Sequence, residues 1–297
     1  MEFEVCRRKR YWSKYAAWGG WSPQAAEESR TAYRLSKLDS RHTLMGRATE
    51  EAVRWALRQY QAGQAPTADE AYTAAARPLL NKAWQDSKSG AWQQDPKRRI
   101  GLHEHYYAAL HPQLDPDWPA KLRDYILRCI QNFITTVWPR LAHVTPTDEV
   151  ALDAPESFTW QGCTIYAVPD YVYGLDGEWH IHDWKAGRPH PSHLKQLGVY
   201  ALWAHEKKGA APDAIRLYAE YLHEGQVAME PGSPALLEQA RAFIQESATD
   251  MADYLEDGDP QRNKPRPREE WDMTPDRAVC RRCNFHQLCA PEFTDSD

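Results

Sequence analysis

The sequence predicts an α/β fold in which a mixed central sheet is flanked by helices. Apolar side chains recur at helical spacing through much of 20–145, which indicates an N-terminal helical region. From about residue 157 the chain becomes rich in β-branched and aromatic residues, which is typical of strands. A turn signal at 175–177 makes this stretch a hairpin, and helix and strand patterns alternate after it.

Each predicted element has a local reason in the sequence. Thr67 and Glu70 have the spacing of a capping box, which predicts the start of a helix. Apolar periodicity supports the other helices, and two strand-like runs around a Glu-Gly turn support a second hairpin at 215–230. Residues 257–278 carry many Pro, Arg and Asp residues and are expected to form a linker or an extended tail. Helices are expected at about 42–60, 67–84, 101–111, 117–142, 192–207 and 234–256.

Composition and charge favour one large globular domain over 1–297, with a helical region at 20–145, a core at 150–256 and a cysteine-rich terminus at 257–297. The net charge of −6 argues against a surface coated with DNA-binding charge but allows a local basic groove. The 13 Trp and 15 Tyr can build a core, stack on bases or line a partner surface. No apolar run is long enough for a membrane span and no signal peptide is expected, so we expect a cytoplasmic protein.

Two carboxylates and a lysine are expected to converge on one face of the first hairpin. Successive side chains of a strand point to opposite faces, so Asp183 and Lys185 share one face and Trp184 takes the other. If the hairpin closes at 175–177, Asp170 on the adjacent strand approaches Asp183 across the pair.

This arrangement suits a divalent metal ion. Two close carboxylates repel each other unless a proton or a cation intervenes, and Mg²⁺ accepts hard oxygen ligands while keeping waters or phosphate oxygens. A lysine beside the ion can position or deprotonate a water, or stabilise charge that builds on a phosphate. The plainer alternative is a cross-strand ion pair on a solvated hairpin, since short D-x-K triplets are common by chance.

The order of these residues resembles the PD-(D/E)xK nuclease superfamily. An acid on one strand, a turn, D-x-K on the next strand and then a helix occur in that order, and Pro169 with Asp170 supplies a literal PD. Within the superfamily the chain is most similar to RecB-like nucleases, which carry Q-x-x-x-Y on the following helix. Gln196 and Tyr200 have that spacing and share one helix face.

The resemblance implies a restriction-endonuclease-like core and a role for each residue. Asp170, Asp183 and the Trp184 carbonyl would bind Mg²⁺ or Mn²⁺, and Lys185 would handle the attacking water. The helix residues that would orient the lysine or the DNA are Gln196 and Tyr200.

One position departs from the family pattern. RecB-like nucleases carry G-x-x-x-H-E on an upstream helix, and its His is usually a metal ligand. Here Gly46 begins the matching stretch and Glu50 occupies the His position. Glu50 could bind the metal through oxygen, or the site works differently. The stretch 103–105, His-Glu-His, is a possible substitute, although its register does not match.

Cys280, Cys283 and Cys289 have the spacing C-x2-C-x5-C. Three thiolates are incomplete for a tetrahedral site, and two completions remain open. Cys6 would give four thiolates for a 4Fe-4S cluster, whereas His286 would complete a zinc site. Iron–sulfur nucleases of the RecB-like group, including AddB-type subunits and CRISPR-associated adaptation nucleases, have one cysteine before the nuclease core and three after it. That resemblance implies a cluster that joins the two ends of the domain.

Basic residues flank the cysteines at both ends of the chain. A cluster would gather them into a local basic patch suited to phosphate contacts, and surface solubility is the alternative reading. These residues are Arg7, Arg8, Arg10, Arg281 and Arg282.

We therefore expect a metal-dependent DNA nuclease, an exonuclease with a 4Fe-4S cluster, in DNA repair or in phage or CRISPR-type defence. Its substrate would be single-stranded DNA or duplex ends, and a helicase or a defence-system protein is the expected partner. One alternative is a catalytically inactive DNA-binding iron–sulfur subunit, which the substitution at Glu50 favours. Another is a zinc-stabilised interaction module.

Overall fold

The computed structural model describes residues 2–112, 115–144, 148–150 and 156–293. Parts of the expected core and of the expected C-terminal region, residues 151–155 and 294–297, lie outside the described residues. The chain divides into two compact units. Unit 1 comprises Met1–Leu44, Leu79–Asp115 and Thr249–Asp297, and unit 2 comprises Met45–Pro78 and Pro116–Ala248. Residues of the helical region 20–145 are therefore shared between the two units.

Most of the expected helices are present, and none of those described has the length and apolar character needed to cross a membrane. The Thr67–Glu70 capping box forms as predicted. The helix expected at 101–111 is much shorter, and the last long helix ends at Ala252. The described α-helices are α1 Glu2–Val5, α2 Arg7–Tyr11, α3 Glu27–Ser36, α4 Arg41–Gln61, α5 Ala68–Ala71, α6 Arg77–Lys88, α7 His103–Tyr106, α8 Trp118–Asn132, α9 Trp138–Leu141, α10 Pro191–Lys208, α11 Pro234–Ala252, α12 Arg277–Arg281 and α13 His286–Cys289. π-Helical turns occupy Trp12–Ala16, Tyr72–Ala76 and Phe133–Val137.

Unit 2 contains the predicted mixed sheet. Its five strands lie in the order β3-β6-β7-β8-β9, with β7 and β8 parallel and the other neighbours antiparallel. A two-stranded sheet, β4-β5, also belongs to this unit, whereas the parallel pair β1-β2 belongs to unit 1. The described strands are β1 Leu38–Asp39, β2 Gly101–Leu102, β3 Asp148–Val150, β4 Glu156–Trp160, β5 Cys163–Ala167, β6 Tyr171–Leu175, β7 Glu178–Lys185, β8 Ile215–Tyr221 and β9 Gln226–Pro231.

The β6–β7 hairpin sets the register of the sheet's functional end. Asp176 and Gly177 both adopt positive φ, 52° and 84°, as a two-residue type I′ turn requires. The resulting register places Tyr171 opposite His182. Asp170, one residue before β6, is thereby brought to the Asp183 end of β7.

The two faces of the sheet carry different layers. On one face α10 buries Leu197 and Ala201 in a core with Ile181 and Leu217. On the other, the Trp184 ring packs edge-on against Phe133, with ring centroids 5.5 Å apart. Asp183 and Lys185 form an ion pair on the α10 face, so the predicted alternation along β7 is confirmed.

Unit 1 has a largely aromatic core that includes Trp12, Trp92 and Phe285. The segment 257–278, expected to be a linker or an extended tail, is largely exposed, but it is anchored through Pro265 and Trp271. Leu255 pairs with Pro265 across a β-bridge, and Trp271 is only 1 % exposed. The polar composition of the segment concealed these apolar anchors.

Candidate functional site

A cavity of about 370 Å³ lies in unit 2 at the carboxyl end of β7. Helix α4, the residues that lead into β6, the end of β7 and helix α10 all contribute to its wall. The structure thus brings together side chains that are more than 100 residues apart in the sequence. The predicted residues that line it are Glu50, Asp170, Asp183, Trp184, Lys185, Gln196 and Tyr200.

Two carboxyl groups meet in this cavity. Asp170 Oδ2 accepts a hydrogen bond from the Trp184 backbone N–H at 2.6 Å, which holds the Asp170 side chain against the end of β7. Burial and the nearby negative charge of Asp183 raise the pKa of Asp170 well above its usual range. Burial also raises the pKa of Asp183, although the Lys185 ammonium opposes that shift. Such a pair is stabilised by a cation between its oxygens.

A chain of hydrogen bonds positions the lysine. Lys185 Nζ pairs with Asp183 and donates a hydrogen bond to Gln196 Oε1 at 2.7 Å. Gln196 Nε2 donates in turn to the Tyr200 hydroxyl oxygen, also at 2.7 Å. The Tyr200 hydroxyl donates to the Val168 carbonyl oxygen at 3.0 Å and lies 3.4 Å from Asp183 Oδ1. Burial raises the pKa of Tyr200, so the hydroxyl keeps its proton at neutral pH.

Glu50 lines the cavity and is paired with a neighbour on its own helix. Its Oε1 accepts a hydrogen bond from Arg54 Nη2 at 2.6 Å, one turn further along α4. Its charge nevertheless contributes to the raised pKa of Asp170. The alternative ligands at 103–105 belong to unit 1, and none of them lines this cavity.

The donor chemistry fits a hard divalent cation. Within the described residues no three His, Cys, Asp or Glu side chains stand ready to bind an ion in their present conformations. The two buried carboxyl groups of Asp170 and Asp183 are nevertheless the oxygen ligands that Mg²⁺ and Mn²⁺ prefer, and their mutual repulsion calls for positive charge. Rotation of Glu50 away from Arg54 would supply a third carboxylate.

Two supporting residues were missed in the sequence. His193 lies one turn before Gln196 on α10, its Nδ1 is 3.2 Å from the Tyr221 hydroxyl, and burial lowers its pKa. Its helical spacing from Gln196 could have indicated it. Tyr125 donates a hydrogen bond to the Ala186 carbonyl oxygen at 2.5 Å and fixes the chain just after Lys185. No local pattern reveals this contact, because α8 is distant in sequence.

A second cavity, of about 270 Å³, lies in unit 1 and is lined by all four predicted cysteines and by His286. All four are free thiols. The indole N–H of buried Trp12 donates a hydrogen bond to Cys289 Sγ at 3.3 Å. Four thiols thus line one cavity and an N–H group is directed at one of them, although no three Cys or His side chains of the described residues are arranged to hold a metal ion.

Burial favours the protonated form of three of these thiols, Cys280, Cys283 and Cys289. It raises the pKa of Cys283 to about 12 and that of Cys289 to about 11. Cys6 adds to the raised pKa of Cys280, Cys283 and Cys289, so its sulfur interacts electrostatically with all three. Metal ligation would deprotonate the thiols by offsetting this cost.

The expected basic patch is only partly available. Arg8 is 4 % exposed, donates to the Trp271 carbonyl oxygen at 2.8 Å and pairs with Glu292 at 2.7 Å. Its expected role in DNA contact is therefore wrong in this conformation, since the guanidinium holds the N-terminal and C-terminal segments of unit 1 together. Arg7 and Arg10 are half-buried, whereas Arg281 and Arg282 are exposed.

Comparison with known proteins identifies the family of the chain. No curated protein matches the sequence. A family model of the PD-(D/E)XK nuclease superfamily matches residues 29–290, a span that includes both acids, the lysine and the Q-x-x-x-Y helix. The chain therefore belongs to the PD-(D/E)XK nuclease superfamily.

Proposed function

We propose that this protein is a metal-dependent deoxyribonuclease that hydrolyses phosphodiester bonds in the unit 2 cavity. Members of the superfamily commonly use Mg²⁺ or Mn²⁺. The observation that carries the proposal is the linked set of Asp170, Asp183, Lys185, Gln196 and Tyr200 around one cavity. An isolated surface ion pair would not have a half-buried amide and a buried phenol arranged behind its lysine.

Each side chain has a separate task in the proposed reaction. Asp170 and Asp183 would hold the ion, which supplies positive charge to the scissile phosphate. Lys185 Nζ would orient the attacking water or stabilise negative charge on the phosphate. Gln196 and Tyr200 are positioning residues, because they restrain the lysine through hydrogen bonds at 2.7 Å.

The decisive test is a cleavage assay on single-stranded and duplex DNA with Mg²⁺ or Mn²⁺. We expect Lys185→Ala to lower the rate about 100-fold or more, the range for the loss of a residue that acts directly on the reacting groups. Lys207→Ala, at the exposed end of α10, is the matched control and should cleave normally. Equal activity of Lys185→Ala and the wild type would refute the assignment and favour an inactive DNA-binding subunit.

We further propose that Cys6, Cys280, Cys283 and Cys289 hold a 4Fe-4S cluster. The support is their shared cavity and their electrostatic coupling. Protein purified without oxygen should be brown and contain about four iron atoms per chain. Cys283→Ser should lose the colour and the iron, whereas Cys163→Ser, a half-buried thiol of β5, should keep both. Stoichiometric zinc in a colourless protein would contradict the cluster and support ligation by His286.

We also propose a more specific activity. The protein would be an exonuclease that acts in repair or antiviral defence, with a helicase or a defence-system protein as its partner. It is supported by the resemblance to RecB-like iron–sulfur nucleases. Comparing linear with covalently closed circular DNA tests it, because an exonuclease leaves the circle intact. Equal cleavage of both forms would make the protein an endonuclease.

A further inference from the structure

Unit 1 holds two tryptophans side by side in solvent. Trp18 is 75 % exposed and Trp21 is 57 % exposed, and their ring centroids lie 5.2 Å apart in an edge-on contact. Trp21 also contacts the Tyr33 ring at 5.9 Å. Large aromatic side chains normally gain free energy by burial, so a continuous exposed aromatic surface indicates a site that a ligand covers.

The loop that carries these rings is tightly packed at its centre. Gly20 is buried between the two tryptophans, and a Cβ atom there would lie 2.2 Å from the Ser29 carbonyl oxygen of α3. Only glycine allows this close approach, which fixes the loop against the helix. The exposed rings are therefore held by the fold before any ligand binds, which lowers the entropy lost on binding.

Basic grooves adjoin the rings on both sides. Trp18 borders a groove of about 690 Å³ whose lining includes Tyr15 and Lys14 but no acidic residue. Trp21 borders a groove of about 460 Å³ that is also lined by Lys97. The Trp18 groove is lined by three basic side chains and no acidic one. The Trp21 groove is lined by four basic and two acidic side chains. These grooves are locally basic although the chain carries a net charge of −6.

Part of this positive charge is available to a ligand, although Arg30 and Arg34 of the second groove both pair with Glu27. Lys14, Lys97 and Arg98 are exposed and form no ion pair with the residues that the structure describes. Arg262 and Lys264, in the Trp18 groove, pair only with exposed or partly exposed acids. Such surface pairs contribute little to stability, so their exchange for phosphate groups costs little.

We propose that these grooves and rings form one binding track for single-stranded DNA. The track is Tyr15, Trp18, Trp21 and Tyr33 with Lys14 and Lys97. Unpaired bases stack on aromatic rings while basic side chains follow the phosphates, whereas a duplex hides its bases. A protein interface core is depleted in charge, which disfavours a protein as the occupant. The choice of DNA rests on the proposed nuclease function, since stacking alone would also accept RNA.

Binding of a labelled oligothymidylate to the full chain in EDTA tests the track without any cleavage. We expect Trp18→Ala/Trp21→Ala to weaken binding about tenfold or more, because each stacked base is worth ~1–3 kcal/mol. Trp84→Ala removes a tryptophan of α6 that is 42 % exposed and should bind normally.

Lys97→Glu should weaken binding and make the affinity less dependent on salt concentration, whereas Lys207→Glu should change neither. Blunt duplex DNA should compete poorly.

Several outcomes would overturn this inference. Unchanged oligothymidylate binding by the double tryptophan variant would remove the track and leave the rings to a protein partner. Tighter binding of oligouridylate than of oligothymidylate would make RNA the ligand. The proposed nuclease function can be refuted independently of the track. A wild-type protein that cleaves no DNA but still binds it through Trp18 and Trp21 would refute the nuclease activity and support the binding track.

Discussion

The balance of charge at Asp170 is the central energetic feature of the candidate site. Its carboxyl group lies close to Asp183 and accepts a single strong hydrogen bond, from the Trp184 N–H. Burial and the Asp183 charge both raise the pKa of Asp170, so ionising it in the metal-free protein costs free energy. A cation bound between the two carboxyl groups would offset this cost.

Replacing Asp170 by Asn should therefore stabilise the metal-free protein while abolishing cleavage. The amide oxygen can still accept the Trp184 hydrogen bond, and the repulsion is removed. We expect a gain of about 0.5–2 kcal/mol in the free energy of unfolding, typical of substitutions at such strained sites, and a loss of activity of at least about 100-fold. Urea unfolding in EDTA at pH 8 and the cleavage assay measure the two effects.

The metal dependence of stability provides the control for this prediction. Mg²⁺ should raise the melting temperature of the wild type and of Asp213→Asn, an exposed aspartate of unit 2, but much less that of Asp170→Asn. An Asp170→Asn protein that is less stable in EDTA than the wild type would mean that the carboxylate is structural.

At the scale of elements, the β6–β7 hairpin was predictable and its surroundings were not. Alternation along β7 and the turn at 175–177 place Asp183 and Lys185 on one face and Asp170 next to them, because strand geometry is local. The capping box at Thr67 is local in the same way. The i, i+4 spacing of Glu50 and Arg54 could have indicated their ion pair, but the resemblance had assigned the place of Glu50 to a metal ligand.

Contacts between distant segments account for the remaining differences. Burial of Arg8 depends on Trp271 and Glu292, more than 260 residues away, so its sequence neighbours gave only a basic run. The burial of Trp271 was concealed in the same way by the polar composition of the segment 257–278. The exposed Trp18 and Trp21 look in sequence like core aromatics, because exposure is decided by the tertiary fold.

The hairpin turn itself yields a stability prediction. Gly177 has φ 84°, where a side chain collides with the backbone, so Gly177→Val should cost about 1–2 kcal/mol. Gly187 is a matched position, since a Cβ there would also meet open space but its backbone has no positive φ. Gly187→Val should cost clearly less in urea unfolding. Equal losses would show that the turn does not determine the hairpin's stability.

At the scale of the whole molecule, the two proposed metal centres lie in different units. The cysteine cavity draws on both ends of the chain within unit 1, whereas the carboxylate cavity lies wholly within unit 2. A bound ligand stabilises the part of the structure that contacts it. Hydrogen exchange measures how readily each segment of the backbone opens. The effects of the two centres on exchange should therefore separate along the sequence.

Removing the cluster should accelerate amide exchange around α1, α2, α12 and α13 and leave β6, β7 and α10 unchanged. Adding Mg²⁺ should instead protect the end of β7 and the residues before β6. The Arg8–Glu292 ion pair joins the two ends of unit 1 without using a cysteine, so the cluster-free unit should be loosened but not unfolded. Cys283→Ser should reproduce the cluster-free pattern, and Cys163→Ser should match the wild type. Faster exchange throughout the five-stranded sheet after cluster loss would contradict this separation and make the cluster a determinant of the whole fold.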